Sequence, residues 1–475
     1  MKVAKNYLYS VGYQILAIIV PLITAYYVSR VLRPEGVGAN AFTNSIIQYF
    51  VLFANMGIGF YGNREVAYVR DNARKLKQTF WEIQIVKTLM TVVSYIFFLL
   101  FMLFYERNRI YMWAQSINLL AVAFDISWFY QGIENFKKTV LKNSLVKIIS
   151  TILIFTFVKN EHDVTLYIVL LALSTFLGNL TLWPGLKNIL GNEKVARFSP
   201  WHHIAPMFSM FIPQIAVQIY VQLNRTMLGV MISEKASGFY QYSDGLVKLA
   251  LALVTSAGTV MLPHVANALA RGERKIVNQM MYKSFDFVSA VTIPMAFGLA
   301  SVSHILSSLY YGKGYEPVGT AMMIEAVIVI LIGWSNVLGI QYLLPSDRVK
   351  EYTTSVTLGA VINIVLNIPL IYFWGLNGSM VSTICSEIAV TGYQLIMVKN
   401  DFDFQKLFKD LWKYFLAACI MFVAINALKL ILRVTWISLL IEICLGVFIY
   451  VVIILLLRAR VIGNGRELLQ SRKGI

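Results

Sequence analysis

The chain has 475 residues, of which 58% are hydrophobic and only 14% charged, and its formal net charge is +17. A soluble domain carries about 25% charged residues. That shortfall, with apolar runs of about 20 residues recurring from end to end, excludes a soluble fold and indicates a polytopic membrane protein.

Marking apolar runs between charged or Pro/Gly-rich breaks predicts an all-α chain of fourteen transmembrane helices joined by short loops. The first, 9–31, is too long for a signal peptide and lacks a small-residue cleavage site. It contains Pro21 and ends at Arg30. The second, 39–62, carries Asn40, Asn44, Gln48 and Asn55 on one face, and a basic segment starting at Arg64 follows. Helices at 80–104 and 111–131 each hold an ionisable group in an apolar run, Lys87 and Asp125. Helices at 142–159 and 164–186 lead to a loop with His202 and His203. Adjacent histidines are not expected to converge as helix-spaced metal ligands do. The seventh helix, 206–232, begins with Pro206 and Pro213 and carries the stripe Gln214, Gln218, Gln222, Arg225. The eighth, 239–262, places Asp244, Lys248, Thr255 and Thr259 on one face. Helices at 282–309, 320–344, 352–374 and 376–398 follow, with Pro294, Glu325, Pro369 and Glu387 inside them in turn, and 411–432 and 436–458 complete the set. Cys385, Cys419 and Cys444 lie in apolar runs without metal-ligand spacing and read as packing residues. No phosphate-binding glycine loop, HExxH or paired-cysteine motif occurs, so no catalytic residue, metal or cofactor is assigned.

An even number of helices puts both termini on one side. The loops on that side hold about three times as many Lys and Arg as those opposite, which marks it as cytoplasmic. The same asymmetry accounts for most of the net charge, so a nucleic-acid partner is not needed. Sliding the sequence by 200 residues sets "GVGANAFTNSIIQYF" (36–50) over "ASGFYQYSDGLVKLA" (236–250), with Gly38 over Gly238 and Asn44 over Asp244. It also sets "ARKLKQ" (73–78) over "ERKIVN" (273–278). The shift implies two six-helix lobes in a parallel repeat, 1–200 and 201–400, with helices 13 and 14 and a tail in 401–475. Transporters built this way place the binding site between repeats.

Amides and charges face hydrocarbon only at a high cost. Asn44, Gln48, Gln218, Gln222, Arg225, Asp244 and Lys248 are therefore expected to line a polar cavity. Arg225 and Asp244 lie at depths that allow pairing, which would leave Lys248 a free cation. Lys87, Asp125, Glu325 and Glu387 are gate or ion-coupling candidates, with Asp125 expected to pair with Lys87 or another inner cation.

The stretches "LITAYYVSRVLRPEGVGANAFTNSIIQYFVLFANMGIGFYGNREVA" (22–67) and "FDISWFYQGIENFKK" (124–138) resemble the Wzx-type flippases of lipid-linked polysaccharide repeat units. These belong to the multidrug/oligosaccharidyl-lipid/polysaccharide exporter superfamily. The resemblance implies a MATE-like two-lobe fold and alternating-access transfer of an undecaprenyl-diphosphate-linked oligosaccharide to the outer leaflet of a bacterial cell membrane. The product would serve capsule, O-antigen or exopolysaccharide assembly. Arg30, Arg64, Arg225 and Lys248 would be the diphosphate and sugar contacts. A polymerase and other assembly proteins are implied as partners. The competing readings are a drug or small-molecule antiporter, whose cavity should be less basic, and a membrane polymerase or ligase, which would need a large outer loop.

Overall fold

The computed structural model describes residues 2–191 and 198–463, and every regular element among them is helical. Contacts divide the chain into two units, Met1–Gly238 and Phe239–Ile475. This division falls after the 200/201 boundary expected from the repeat, because the helix at 204–231 packs on the first unit's helices.

The first unit contains α1 (Lys2–Asn55), α2 (Ile58–Val69), α3 (Ala73–Phe104), α4 (Arg109–Phe124), α5 (Ser127–Gly132), α6 (Phe136–Phe157), α7 (Val164–Leu180), α8 (Leu186–Leu190) and α9 (Ile204–Met231). The start of α10 (Glu234–Ala270) also belongs to it. The second unit holds the rest of α10, then α11 (Arg274–Tyr311), α12 (Glu316–Glu325), α13 (Ile328–Ser335), α14 (Val349–Val398), α15 (Phe404–Leu407), α16 (Leu411–Lys429) and α17 (Trp436–Leu456). In the first unit α4 packs on α7, and α1 on α3, α4, α6 and α9. In the second, α11 is the central helix, against α12, α13, α16 and α17.

Seven described helices are long and apolar enough to cross a membrane, and a pair bent by 41°, α12 with Ile328–Leu343, would make eight. Several are longer than one span. α1 runs 54 residues through a non-helical Arg33 (φ 56, ψ 177), immediately before Pro34. α14 runs 50 residues through Gly375 (φ 56, ψ −129). Both breaks fall where the sequence separates two predicted helices. Other predicted spans are interrupted. The 39–62 helix breaks at Met56 and Gly57, both with positive φ, the 111–131 helix breaks at Asp125 and Ile126, and the 320–344 helix ends in a π-helical segment, Asn336–Leu343. Pro21, Pro294 and Pro369 lie inside helices as expected.

Large apolar side chains remain exposed along single helix faces, as with Val361, Val365 and Ile368 on α14 or Val447, Phe448 and Val451 on α17. On a water-soluble protein such patches would drive association, whereas in a bilayer the lipid tails cover them.

Gly375 occupies a backbone region that side-chain-bearing residues avoid. Gly375→Ala should lower stability by about 1–3 kcal/mol, read as a depressed melting temperature of the purified protein in detergent. A melting temperature equal to wild type would show that the helix break tolerates a Cβ.

Candidate functional site

In the first unit, the amide stripe of the predicted second helix does not stand open. Asn44 Nδ2 donates to Gln115 Oε1 at 3.3 Å, and Gln115 Nε2 donates to Asn40 Oδ1 at 3.1 Å. Asn118 Nδ2 adds a bond to Gln115 Oε1 at 2.9 Å. Gln115 is buried on α4, so these amides join α1 to α4. This is how membrane helices use amides as interhelical glue. Gln48 is half-buried on the same helix. Arg30 is exposed and folds over Tyr26, 3.7 Å from the ring centroid, while Nη1 donates to the Tyr26 carbonyl at 2.8 Å. Arg64 pairs with its neighbour Glu65 at 2.9 Å.

On α9, Gln218 is exposed and Gln222 and Arg225 are half-buried. The adjacent Thr226 hydroxyl meets α1, 2.9 Å from Ser45 Oγ and 3.1 Å from Tyr49 Oη. This fixes the rotation of α9, so Arg225 is held without being sealed. The side chains of Pro213, Gln214 and Thr259 lie outside the described residues.

In the second unit, Asp244 is buried and bound to Lys248 across one helical turn at 2.8 Å. Lys248 is therefore not the free cation expected. A carboxylate four residues earlier on the same helix face is within its reach, a spacing that favours ion pairs. The Lys248 side chain remains 49% exposed. Glu325, on α12, is fully buried and accepts a bond from Ser243 Oγ of α10 at 2.6 Å. Glu387 is half-buried on α14.

Asp125 marks a joint. The chain leaves the helix at Phe124 and re-enters it at Ser127, and Asp125 Oδ1 accepts from the Ser127 backbone N–H at 3.0 Å, initiating α5. Helix ends leave carbonyls that must find donors. Here four side chains from α3 and around the end of α7 supply them. Asn179 Nδ2 reaches Ala121 O at 2.8 Å, Gln84 Nε2 reaches Ala123 O at 2.6 Å, Trp183 Nε1 reaches Phe124 O at 2.9 Å, and Lys87 Nζ reaches Asp125 O at 2.5 Å. Lys87 thus meets Asp125 through its main chain. Lys142 completes the cluster, donating to Asn179 Oδ1 at 2.9 Å and Ser127 Oγ at 3.3 Å.

The two histidines do converge, contrary to the sequence expectation. A 3₁₀ turn, Pro200–His203, brings their ring centroids to 3.8 Å. His203 is buried, with Nδ1 2.7 Å from Tyr61 Oη and Nε2 3.2 Å from Glu82 Oε2. Burial holds the His203 imidazole below its ordinary pKa, against the opposing pull of the Glu82 bond. Glu82 was not singled out from sequence. Its partners Ser199 and His203 lie over a hundred residues away, so no local pattern links it to them.

A family model described as polysaccharide biosynthesis protein matches residues 3–268. The chain is 22% identical over 406 residues to the "Putative O-antigen transporter" of Escherichia coli (strain K12), covering 84% of this chain and 98% of that protein. It is 23% identical over 195 residues to "Lipid II flippase MurJ" of Bacillus subtilis (strain 168), covering 40% and 36% respectively. Among solved structures it resembles "Lipid II flippase MurJ, inward closed conformation" with a TM-score of 0.74 at 18% identity, over 94% of this chain and 98% of the other. A multidrug resistance MATE family transporter matches with a TM-score of 0.59 at 12% identity, over 85% and 94%. At these identities the structural likeness speaks for the fold alone. Transporter relatives and long apolar helices make this a multi-pass membrane protein, and its relatives are transporters and flippases rather than enzymes.

Proposed function

Because the chain belongs to the polysaccharide biosynthesis protein family, we propose that it is a flippase carrying undecaprenyl-diphosphate-linked oligosaccharide repeat units from the cytoplasmic to the outer leaflet of a bacterial inner membrane. The observation that carries this reading is the near full-length match to the "Putative O-antigen transporter" of Escherichia coli (strain K12), over 98% of that relative. The chemistry is consistent with it. A diphosphate-sugar head is excluded from hydrocarbon by the cost of burying its charge, while a polyprenyl tail is at home there. The protein must therefore solvate the head and leave the tail in lipid. In this reading fourteen spans place both termini in the cytoplasm, and the six-helix repeats are 1–200 and 201–400, with 401–475 added. Alternating access moves the head, and a polymerase receives the product. Ion coupling, where present, runs through Asp125, Glu325 or Glu387.

We assign head-group contacts to Arg225 and Gln222 in the first unit and, separately, to Lys248 in the second. All three are incompletely buried and so open to a ligand. Arg30, Arg64 and Gln218 are proposed to attract the anionic head from exposed positions, and Asp244 to orient Lys248. Asn44 and Gln48 keep a place in the sugar path, with Asn44 also tied to Gln115.

The experiment is expression in a strain lacking its repeat-unit flippase. Surface polymer should return with the wild-type chain. Arg225→Ala and Lys248→Ala should each lower it at least about tenfold at equal membrane protein, since a hydrogen bond to a charged group contributes about 1.5–3 kcal/mol. No polymer from wild-type protein present in the membrane at normal amount would overturn the assignment, and full polymer from both variants would overturn the contacts.

A further inference from the structure

We propose that Glu82, His202 and His203 form a binding site for a divalent transition-metal ion of the zinc class, joining α3 to the turn that leads into α9. It is independent of the transported substrate. One donor atom from each of the three residues lies within 4.8 Å of the other two. Around a tetrahedral zinc ion with ligands at about 2.0–2.1 Å, neighbouring donor atoms stand about 3.3 Å apart. His203 Nε2 and Glu82 Oε2 already stand at 3.2 Å.

The surroundings of the three residues match what a metal requires of its ligands. A metal-bound imidazole directs its other ring nitrogen to an oxygen acceptor, which fixes the tautomer and the ring plane. Both histidines do this. His202 Nδ1 faces the Ser199 carbonyl, which can only accept, so Nδ1 carries the proton and Nε2 keeps its lone pair. His203 Nδ1 faces the Tyr61 hydroxyl, which can accept as well as donate. Without an ion, His203 Nε2–H donates to Glu82. Binding needs only the proton to move to Nδ1, with the Tyr61 hydroxyl turning from donor to acceptor. The Glu82 carboxylate is held as well. Its Oε1 takes the Ser199 N–H at 2.7 Å and Gln78 Nε2 at 2.9 Å, which leaves Oε2 for the ion.

Access and coordination number also fit. The side chains of His203 and Glu82 are 4% and 3% exposed, whereas His202 is exposed, so the cluster opens to solvent on one side only. Three protein ligands with a fourth place for water make an open zinc-type site, and two imidazoles with one carboxylate suit zinc better than calcium or magnesium.

The test uses the full-length, tag-free protein in detergent after chelator treatment, titrated with Zn²⁺ by calorimetry and with Co²⁺ by visible absorption. One ion per chain should bind, with the Co²⁺ bands of an imidazole-bound site. His202→Ala should weaken binding by at least about tenfold and remove those bands. His203→Ala also breaks the Tyr61 and Glu82 bonds, so the exposed His202 is the deciding position. His162→Ala, at an exposed histidine elsewhere, should change nothing. Absence of stoichiometric binding, equal binding by His202→Ala, or loss on His162→Ala would each overturn the site.

Discussion

Lys87→Met should cost the protein about 3–5 kcal/mol, the range for removing one partner of a buried charged pair, and lower its yield and melting temperature in detergent. Lys87 is 1% exposed. Methionine can fill the space of its stem, so the loss isolates the ammonium. Without it the Asp125 carbonyl has no donor from α3, and the Asp125 carboxylate loses a cation beside it. Asp125 is half-buried, so solvent replaces the ammonium only in part. Lys137→Met, at an exposed position, should leave the melting temperature unchanged. If Lys87→Met melts with the wild type, the ammonium is not what holds the joint between α4 and α5.

The second large effect is expected at Gly38. A Cβ there would lie 2.5 Å from the Glu234 carbonyl oxygen and 2.6 Å from its carbon. The obstruction is main chain, so no side-chain rotation relieves it. One turn along α10, a Cβ on Gly238 would come 2.8 Å from Gly38 Cα. The two glycines thus let the backbones of α1 and α10 touch, as small residues do where membrane helices cross closely. Ion pairs flank the crossing, Lys235 with Glu35 at 2.5 Å and Arg107 with Glu234 at 2.6 Å. Gly38→Ala should destabilise by about 1–3 kcal/mol, the usual range for overpacking, and Gly38→Val by more, to the point where little folded protein is recovered. Gly59, whose Cβ would meet nothing within 4 Å, is the control. Helix propensity alone favours alanine over glycine by about 1 kcal/mol, so a Gly38→Ala variant more stable than wild type would refute the close crossing.

The pairing of Gly38 with Gly238 was visible in the sequence only as a repeat match. That the two touch is a tertiary fact. Helix identity was legible because apolar runs and punctuation agree. Arg33–Pro34 and Gly375 interrupt their helices where proline geometry and glycine freedom allow it. The joint at Asp125 was not legible, because its four donors come from residues up to 59 positions away, and no periodicity within 111–131 records them. The amide stripe of 40–55 shows the limit of pattern reading. A row of Asn and Gln at helical spacing looks the same whether it faces water or another helix, and only the position of Gln115 decides. Lys248 was misread for a different reason. Its four-residue spacing from Asp244 is plain in the sequence, but so is a depth match of Asp244 with Arg225, and sequence alone does not choose between the two cations. The histidine pair was discounted because adjacency is not helix spacing, yet a tight 3₁₀ turn can stack neighbouring rings.

The four-donor joint between α4 and α5 has a mechanical meaning. An ordinary helix break in a membrane is hydrated, and that water lets it flex cheaply, since bonds lost to protein are regained from solvent. Here the exposed carbonyls are served by Gln84, Lys87, Asn179 and Trp183. Straightening or further bending the joint would break all four bonds together. The segment should therefore move with α3 and α7 as one stiff body, a lever arm rather than an elbow. Any flexing that a working cycle demands of these helices must then be borne at other breaks.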